Sequence, residues 1–137
     1  MKDIVLVDSN VLLDVITDDP VWGDWASGIL NELSHASTLA INPVIYAEVS
    51  IRFQTIEEVE ATLPLNFFER LDIPYEAAFL AGKCFIKYKK LGGERTSTLP
   101  DFLIGAHAAV SGMSLLTRDV ARYKTYFPRL KLFCPKK

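Results

Sequence analysis

An α/β fold with a parallel central sheet, covered by helices on both faces, follows from three observations. Short apolar runs recur at Ile4–Val7, Thr38–Ile41 and residues 114–117, each of strand length. A helix-start signal follows each run, and helical periodicity fills the intervals between them. Strand and helix therefore alternate along the chain, the pattern of a sheet whose strands run one way and are buried on both sides.

The first run is uniformly apolar, as a doubly covered strand requires, and Asn10 begins a helix containing Val11, Leu12, Leu13, Val15 and Ile16. Asp18-Asp19-Pro20 reads as a turn and a new start, with Asp19 as N-cap and Pro20 in the first helical position. Trp22, Trp25, Ala26, Ile29, Leu30 and Leu33 then fall at amphipathic helical spacing. Thr38–Ile41 is the second strand. Asn42-Pro43 repeats the cap signal and opens a helix carrying Ile45, Val49 and Phe53, with Glu48 inside it. Thr55 and Glu58 form a capping-box pattern for another helix. Residues 70–73 are read as a third strand. Pro74 opens a long helix that Gly92-Gly93 ends, and residues 92–97 form a polar loop. Thr98-Leu99-Pro100-Asp101 starts a helix that runs to about Ser111, where Gly112 stops it. Residues 114–117 form the fourth strand, 120–123 a short helix and 131–133 an edge strand. The reading is one domain over residues 1–137, with no internal repeat or linker.

At 137 residues and 50% hydrophobic content, the chain is globular and long enough to bury a core. No stretch approaches the roughly 18 consecutive apolar residues of a membrane span. The amino terminus has no signal-peptide shape, so the expected compartment is the cytoplasm. Cys84 and Cys134 have neither metal-type spacing nor a disulfide framework and read as packing residues. The net charge of −2 conceals an asymmetry: residues 1–82 hold three Lys and Arg against fourteen Asp and Glu, residues 83–137 twelve against three. A basic second half is compatible with a nucleic-acid contact, and equally with solvated helix faces.

The chemistry lies in acids placed after strands. In an open α/β sheet, ligands bind beyond the carboxyl ends of strands, where strand order reverses. Asp8 leaves the first strand and Asp119 the fourth; if these strands are neighbours, the two carboxylates meet, at a cost unless a cation lies between them. Asp8 can cap the following helix, but Ser9 and Asn10 offer the same chemistry, which leaves a carboxylate for another task. Asn10 is either a cap or a helper whose amide donates to a carboxylate. Asp14, one turn on, reads as an ordinary exposed helix acid. Glu48 sits among Val44, Ile45, Tyr46, Ala47 and Val49, less than two turns from the sheet edge; it faces either solvent or that edge. Asp101 fits the third residue of a capping box begun by Thr98, while Gly105, Ala108, Ala109 and Gly112 on its face allow close approach to the sheet. Thr117 offers a hydroxyl to orient the Asp119 carboxylate, and Asp119 can also cap the next helix. His107 lies well off the Asp101 face and is a packed or surface histidine, not a general base. Together, the acids compose a hard-oxygen site suited to Mg²⁺ or Mn²⁺, with none of the N and S ligands of a zinc centre.

Four segments in order resemble the PIN domain family, in particular the small VapC toxins of toxin–antitoxin pairs: Val7-Asp8-Ser9-Asn10-Val11, residues 42–49, residues 99–108, and Leu115-Leu116-Thr117-Arg118-Asp119 with Tyr123, Phe127 and Pro128 after it. The resemblance covers nearly the whole chain. It implies a PIN-like three-layer α/β/α sandwich with strand order 3-2-1-4-5, so that the first and fourth strands are adjacent. It implies Asp8, Glu48, Asp101 and Asp119 as a catalytic and metal-binding quartet, supported by Asn10, Thr117 and Ser9. The activity implied is Mg²⁺- or Mn²⁺-dependent endoribonuclease, often on tRNA or rRNA, restraining translation. The partners implied are a cognate VapB-like antitoxin and a second copy in a homodimer. Arg95, Arg118, Arg122 and Lys124 then flank the acids as RNA-backbone contacts, and Lys83, Lys87 and Lys90 extend the track along one helix face.

Rival readings fit less well. A structure-specific 5′-nuclease needs added helices to clamp DNA. A haloacid-dehalogenase-type phosphatase wants Asp-x-Asp after the first strand, where Asn10 holds the second position. A response-regulator receiver lacks a clear acceptor Asp after its third strand. A PIN-fold RNA-processing module without a toxin role, or a non-catalytic module whose acids only cap helices, remains the alternative.

Overall fold

The structure is a computed structural model, and it describes residues 2–92 and 98–136. Arg95 and most of the expected polar loop at 92–97 lie outside the described residues. Five strands, β1 (Ile4–Val7), β2 (Thr38–Ile41), β3 (Glu69–Arg70), β4 (Ser114–Leu116) and β5 (Leu132–Phe133), form one sheet in the order 3-2-1-4-5. All neighbouring pairs are parallel. The helices are α1 (Ser9–Ile16), α2 (Gly23–Ala36), α3 (Pro43–Ser50), α4 (Ile56–Thr62), α5 (Tyr75–Lys90), α6 (Leu99–Val110) and α7 (Val120–Lys124). They lie on both faces of the sheet, giving the PIN-like α/β/α arrangement that the motifs imply.

β1 lies at the centre, with Leu6 paired to Ala40 on one side and to Leu115 on the other. Its residues Val5, Leu6 and Val7 are fully buried with Leu39, Ile41, Leu115 and Leu116, which is why the run carries no polar alternation. The chain reverses its direction of winding between β1 and β4, so the crevice at their carboxyl ends is the topological switch point. There the Asp8 N–H donates to the Leu116 carbonyl at 2.9 Å, extending the ladder one residue beyond the strand.

Local signals hold where they are capped. Asn42 accepts the Ile45 N–H at 2.9 Å, with Pro43 opening α3, and Thr55 and Glu58 complete their capping box. Three expectations are corrected. Asp19-Pro20 does not start a helix. Asp18 turns the chain at φ 50°, the Asp19 carboxylate accepts the N–H groups of Val21 and Trp22, and α2 begins only at Gly23. The third strand is Glu69–Arg70, earlier and shorter than 70–73, because an exposed edge pairing of two residues leaves no apolar pattern to read. The small-residue face of α6 is buried only at Gly105 and Ala108, whereas Ala109 and Gly112 are exposed. Gly105 is needed: a Cβ there would lie 2.4 Å from the Phe127 ring. Cys84 is buried and Cys134 partly so, both as free thiols.

Candidate functional site

Asp8 is the buried centre of the crevice, 3% exposed. Its Oδ1 accepts the Ser9 N–H at 2.8 Å, and its Oδ2 accepts two hydroxyls, Thr117 at 2.8 Å and Tyr123 at 2.9 Å. Burial pushes its carboxyl up to about 6. The Thr117 and Tyr123 hydrogen bonds oppose that shift, and the charges of Glu48 and Asp101 add to it.

Glu48 faces this cluster, not solvent. The Ser9 hydroxyl donates to its Oε1 at 2.7 Å, so one residue holds Asp8 through its backbone and Glu48 through its side chain. Burial raises the Glu48 carboxyl above its ordinary value; the Ser9 bond and Arg122 oppose this, and Asp101 adds to it. On the other side of the crevice, Asp101 both caps α6 and faces the site. Its Oδ2 accepts the Thr98 N–H at 2.9 Å, and its Oδ1 meets Arg122 Nη1 at 3.2 Å. Asp119 caps α7 by accepting the Arg122 N–H at 3.3 Å, and its Oδ2 meets Arg122 Nη2 at 3.1 Å. One guanidinium thus bridges the third and fourth acids. Burial opposes its charge, but Asp101 first, and then Asp119, Tyr123 and Asp8, raise its pKa.

The supporting residues work differently from expectation. Among the described residues, the Asn10 amide donates to no carboxylate. It donates to the Thr117 hydroxyl at 3.3 Å, and its carbonyl accepts the Arg118 N–H at 3.3 Å. Thr117 orients Asp8 and not the Asp119 carboxylate: its oxygen accepts from Asn10 and from the Asp119 N–H at 3.1 Å, so its one proton goes to Asp8.

Asp14 is not an exposed helix acid. It is buried and takes two hydrogen bonds from Arg118, at 2.6 and 3.1 Å. Arg118 also lies over the Trp22 ring at 5.4 Å, and its pKa is raised chiefly by the Asp14 bond. Of the three arginines expected to hold substrate backbone, Arg118 and Arg122 are therefore engaged by acids, and Arg95 lies outside the described residues. Lys124 is exposed, as are Lys83, Lys87 and Lys90 on α5. His107 is a packed histidine. Its Nδ1 lies 3.0 Å from the Asn42 amide, and burial lowers its pKa. Because the Asn42 oxygen is already an acceptor, its amide donates and the imidazole is neutral. This bond ties α3, which carries Glu48, to α6, which carries Asp101.

Tyr123 is the contact that sequence reasoning missed. The fourth motif includes Tyr123, but nothing in a five-residue helix marks a partner 115 residues away.

The donors fit a hard divalent ion in kind, being carboxylate oxygens at one sheet rim. Counted strictly, they do not form a closed cage: among the described residues, no three His, Cys, Asp or Glu side chains are grouped closely enough to hold a metal ion. Arg122 lies between Asp101 and Asp119 and balances their charge. Among the described residues, no helix is long and apolar enough to cross a membrane.

The sequence matches the PIN domain family over residues 5–128. No curated protein matches it. Among solved structures, it is similar to a chain of VapBC2 from Rickettsia felis bound to a DNA fragment from their promoter, with TM-score 0.73, 22% identity, and 96% of this chain and 98% of that chain covered. VapBC-1 from nontypeable Haemophilus influenzae gives 0.72 at 21% identity, covering 96% and 97%. A toxin–antitoxin complex from Klebsiella pneumoniae gives 0.71 at 21%, covering 97% and 98%. At these identities the likeness establishes a shared fold.

Proposed function

The chain belongs to the PIN domain family, and on that premise we propose that it is a metal-dependent endoribonuclease of the VapC toxin type, cutting RNA phosphodiester bonds to restrain translation. One observation carries the reading. Asp8 is buried at the switch point and joined through Ser9 to Glu48, with the Asp101 charge near enough to be felt. A fold spends stability to keep such a group only where something offsets its charge.

Asp8, Asp101, Asp119 and Glu48 are the residues that would hold Mg²⁺ or Mn²⁺. When bound, the ion supplies an activated water and neutralises charge developing on the phosphate. Ser9 holds the Asp8 and Glu48 carboxylates in fixed relation. Glu48, with its raised pKa, is suited to take a proton from the attacking water. Arg122 lies where its guanidinium can exchange Asp101 and Asp119 for a phosphate. Lys124 and the α5 lysines extend the backbone contact. Arg118, held by Asp14, serves the architecture first.

The partners proposed are a VapB-like antitoxin and a second copy of this chain, in the cytoplasm, with residues 1–137 acting as one domain. An apolar groove of about 390 Å³, lined by Leu12, Ile16, Leu30 and Phe67 among others, is available to an antitoxin segment. Tyr75, Phe79 and Ile86 are exposed along α5 and support a homodimer.

The test is sequencing of RNA ends after brief expression of the wild type and of Asp8→Ala. New ends at defined positions with the wild type, absent with the variant, are expected. Identical end profiles would overturn the assignment. A non-catalytic module would show no Mn²⁺ affinity that Asp8→Asn removes.

A further inference from the structure

Tyr123 is the largest fully buried side chain among the described residues, with 0% exposure. Core aromatics of this kind ordinarily present only carbon to their surroundings, and a buried phenol needs a partner. Here the partner is the catalytic candidate itself: the hydroxyl donates to Asp8 Oδ2 at 2.9 Å. The ring belongs to α7, whose N-cap is Asp119, so the hydroxyl is held by the helix that the fourth acid begins.

An ionised carboxylate has about four acceptor positions. In Asp8, Thr117 and Tyr123 take two on Oδ2, and the Ser9 N–H takes one on Oδ1. Neither side-chain donor is loosely placed. The Thr117 oxygen already accepts from Asn10 and Asp119, which directs its proton to Asp8, and the Tyr123 ring has no space to rotate away.

We propose that Tyr123 is a positioning residue for Asp8. With Thr117 it saturates Oδ2 and locks the carboxylate, so that Oδ1 keeps the one acceptor position through which Asp8 engages a divalent cation. This inference rests on the proposed metal-dependent reading.

The test is isothermal calorimetry of Mn²⁺ binding to wild type, Tyr123→Phe, Thr117→Val and Asp8→Asn, with circular dichroism and melting recorded for each. Tyr123→Phe keeps the ring and removes one oxygen. Loss of a group that orients a ligand costs about tenfold or more in metal affinity. The expected result is about tenfold weaker Mn²⁺ binding by a folded Tyr123→Phe, with kcat on RNA lowered and KM unchanged. Thr117→Val, which removes the other donor to the same oxygen, weakens binding in the same direction. Wild-type Mn²⁺ affinity in both variants, with binding abolished in Asp8→Asn, overturns the role of Tyr123 and leaves the nuclease reading intact. Mn²⁺ binding unaffected by Asp8→Asn overturns both.

Discussion

Arg118 grips Asp14 with two hydrogen bonds, at 2.6 and 3.1 Å, tying the loop after β4 to α1 across 104 residues. Asp14 is 6% exposed and Arg118 32% exposed at the side chain, so the pair lies between a surface bridge and a buried one. Removing one partner should cost about 2 kcal/mol, between the ~1 of exposed pairs and the 3–5 of buried ones. Arg118→Glu places two acids together and is expected to unfold at lower urea concentration, which equilibrium denaturation measures. Unaltered stability with weakened RNA binding would return Arg118 to the substrate track.

Arg122 supplies the positive charge between Asp101 and Asp119, and in the proposed nuclease a divalent ion would compete for that place. In Arg122→Ala the two carboxylates lose their counter-charge, and the apo protein should melt lower. Added Mn²⁺ should then raise Tm more in the variant than in the wild type. A difference of about 1 kcal/mol would appear as roughly 3–5 °C in a domain of this size. Equal shifts in thermal melts would show that guanidinium and metal do not share the position.

The Asp8 carboxyl titrates at about 6 in the folded chain against an ordinary 3.8. The folded state thus holds the proton more tightly than the unfolded state. This group's contribution to stability is complete below pH 3.8 and is lost as pH rises through 6. Two units correspond to about 3 kcal/mol. Without divalent ions, Asp8→Asn removes the buried charge but turns an amide NH2 toward one of the donors that Asp8 accepts, so its stability relative to wild type is expected to be more favourable at pH 8 than at pH 4 by about 2–3 kcal/mol. Urea denaturation at both pH values decides it; a difference independent of pH contradicts the burial cost.

Gly105 allows α6 to seat the Phe127 ring, which a Cβ would meet at 2.4 Å. Phe127 is nearly buried, so it has little room to yield. Gly105→Ala should therefore destabilise by about 1–3 kcal/mol, the range for overpacking, despite the better helix propensity of Ala. A neutral or raised Tm would show that the ring relaxes freely.

Much of the architecture is written locally. Four-residue apolar runs, caps at Asn42 and Thr55, and acids placed just beyond strands are patterns a few residues long, and the fold keeps them. The exceptions are places where local signals compete or are weak: Asp19-Pro20 caps a turn, and the edge strand at Glu69–Arg70 buries nothing.

Sequence alone determined the strand–helix alternation, the acids at the ends of strands and, through its four motifs, the family, because periodicity and chain order are properties of neighbours. Folding decided which partner each polar group takes. Thr117 turned its proton to Asp8, Asp14 was enclosed by Arg118, and Tyr123 reached Asp8 from the far end of the chain. Those pairings span more than 100 residues. A side chain at such separation carries no local mark of its partner; only packing, which forces each buried donor to find an acceptor, assigns it.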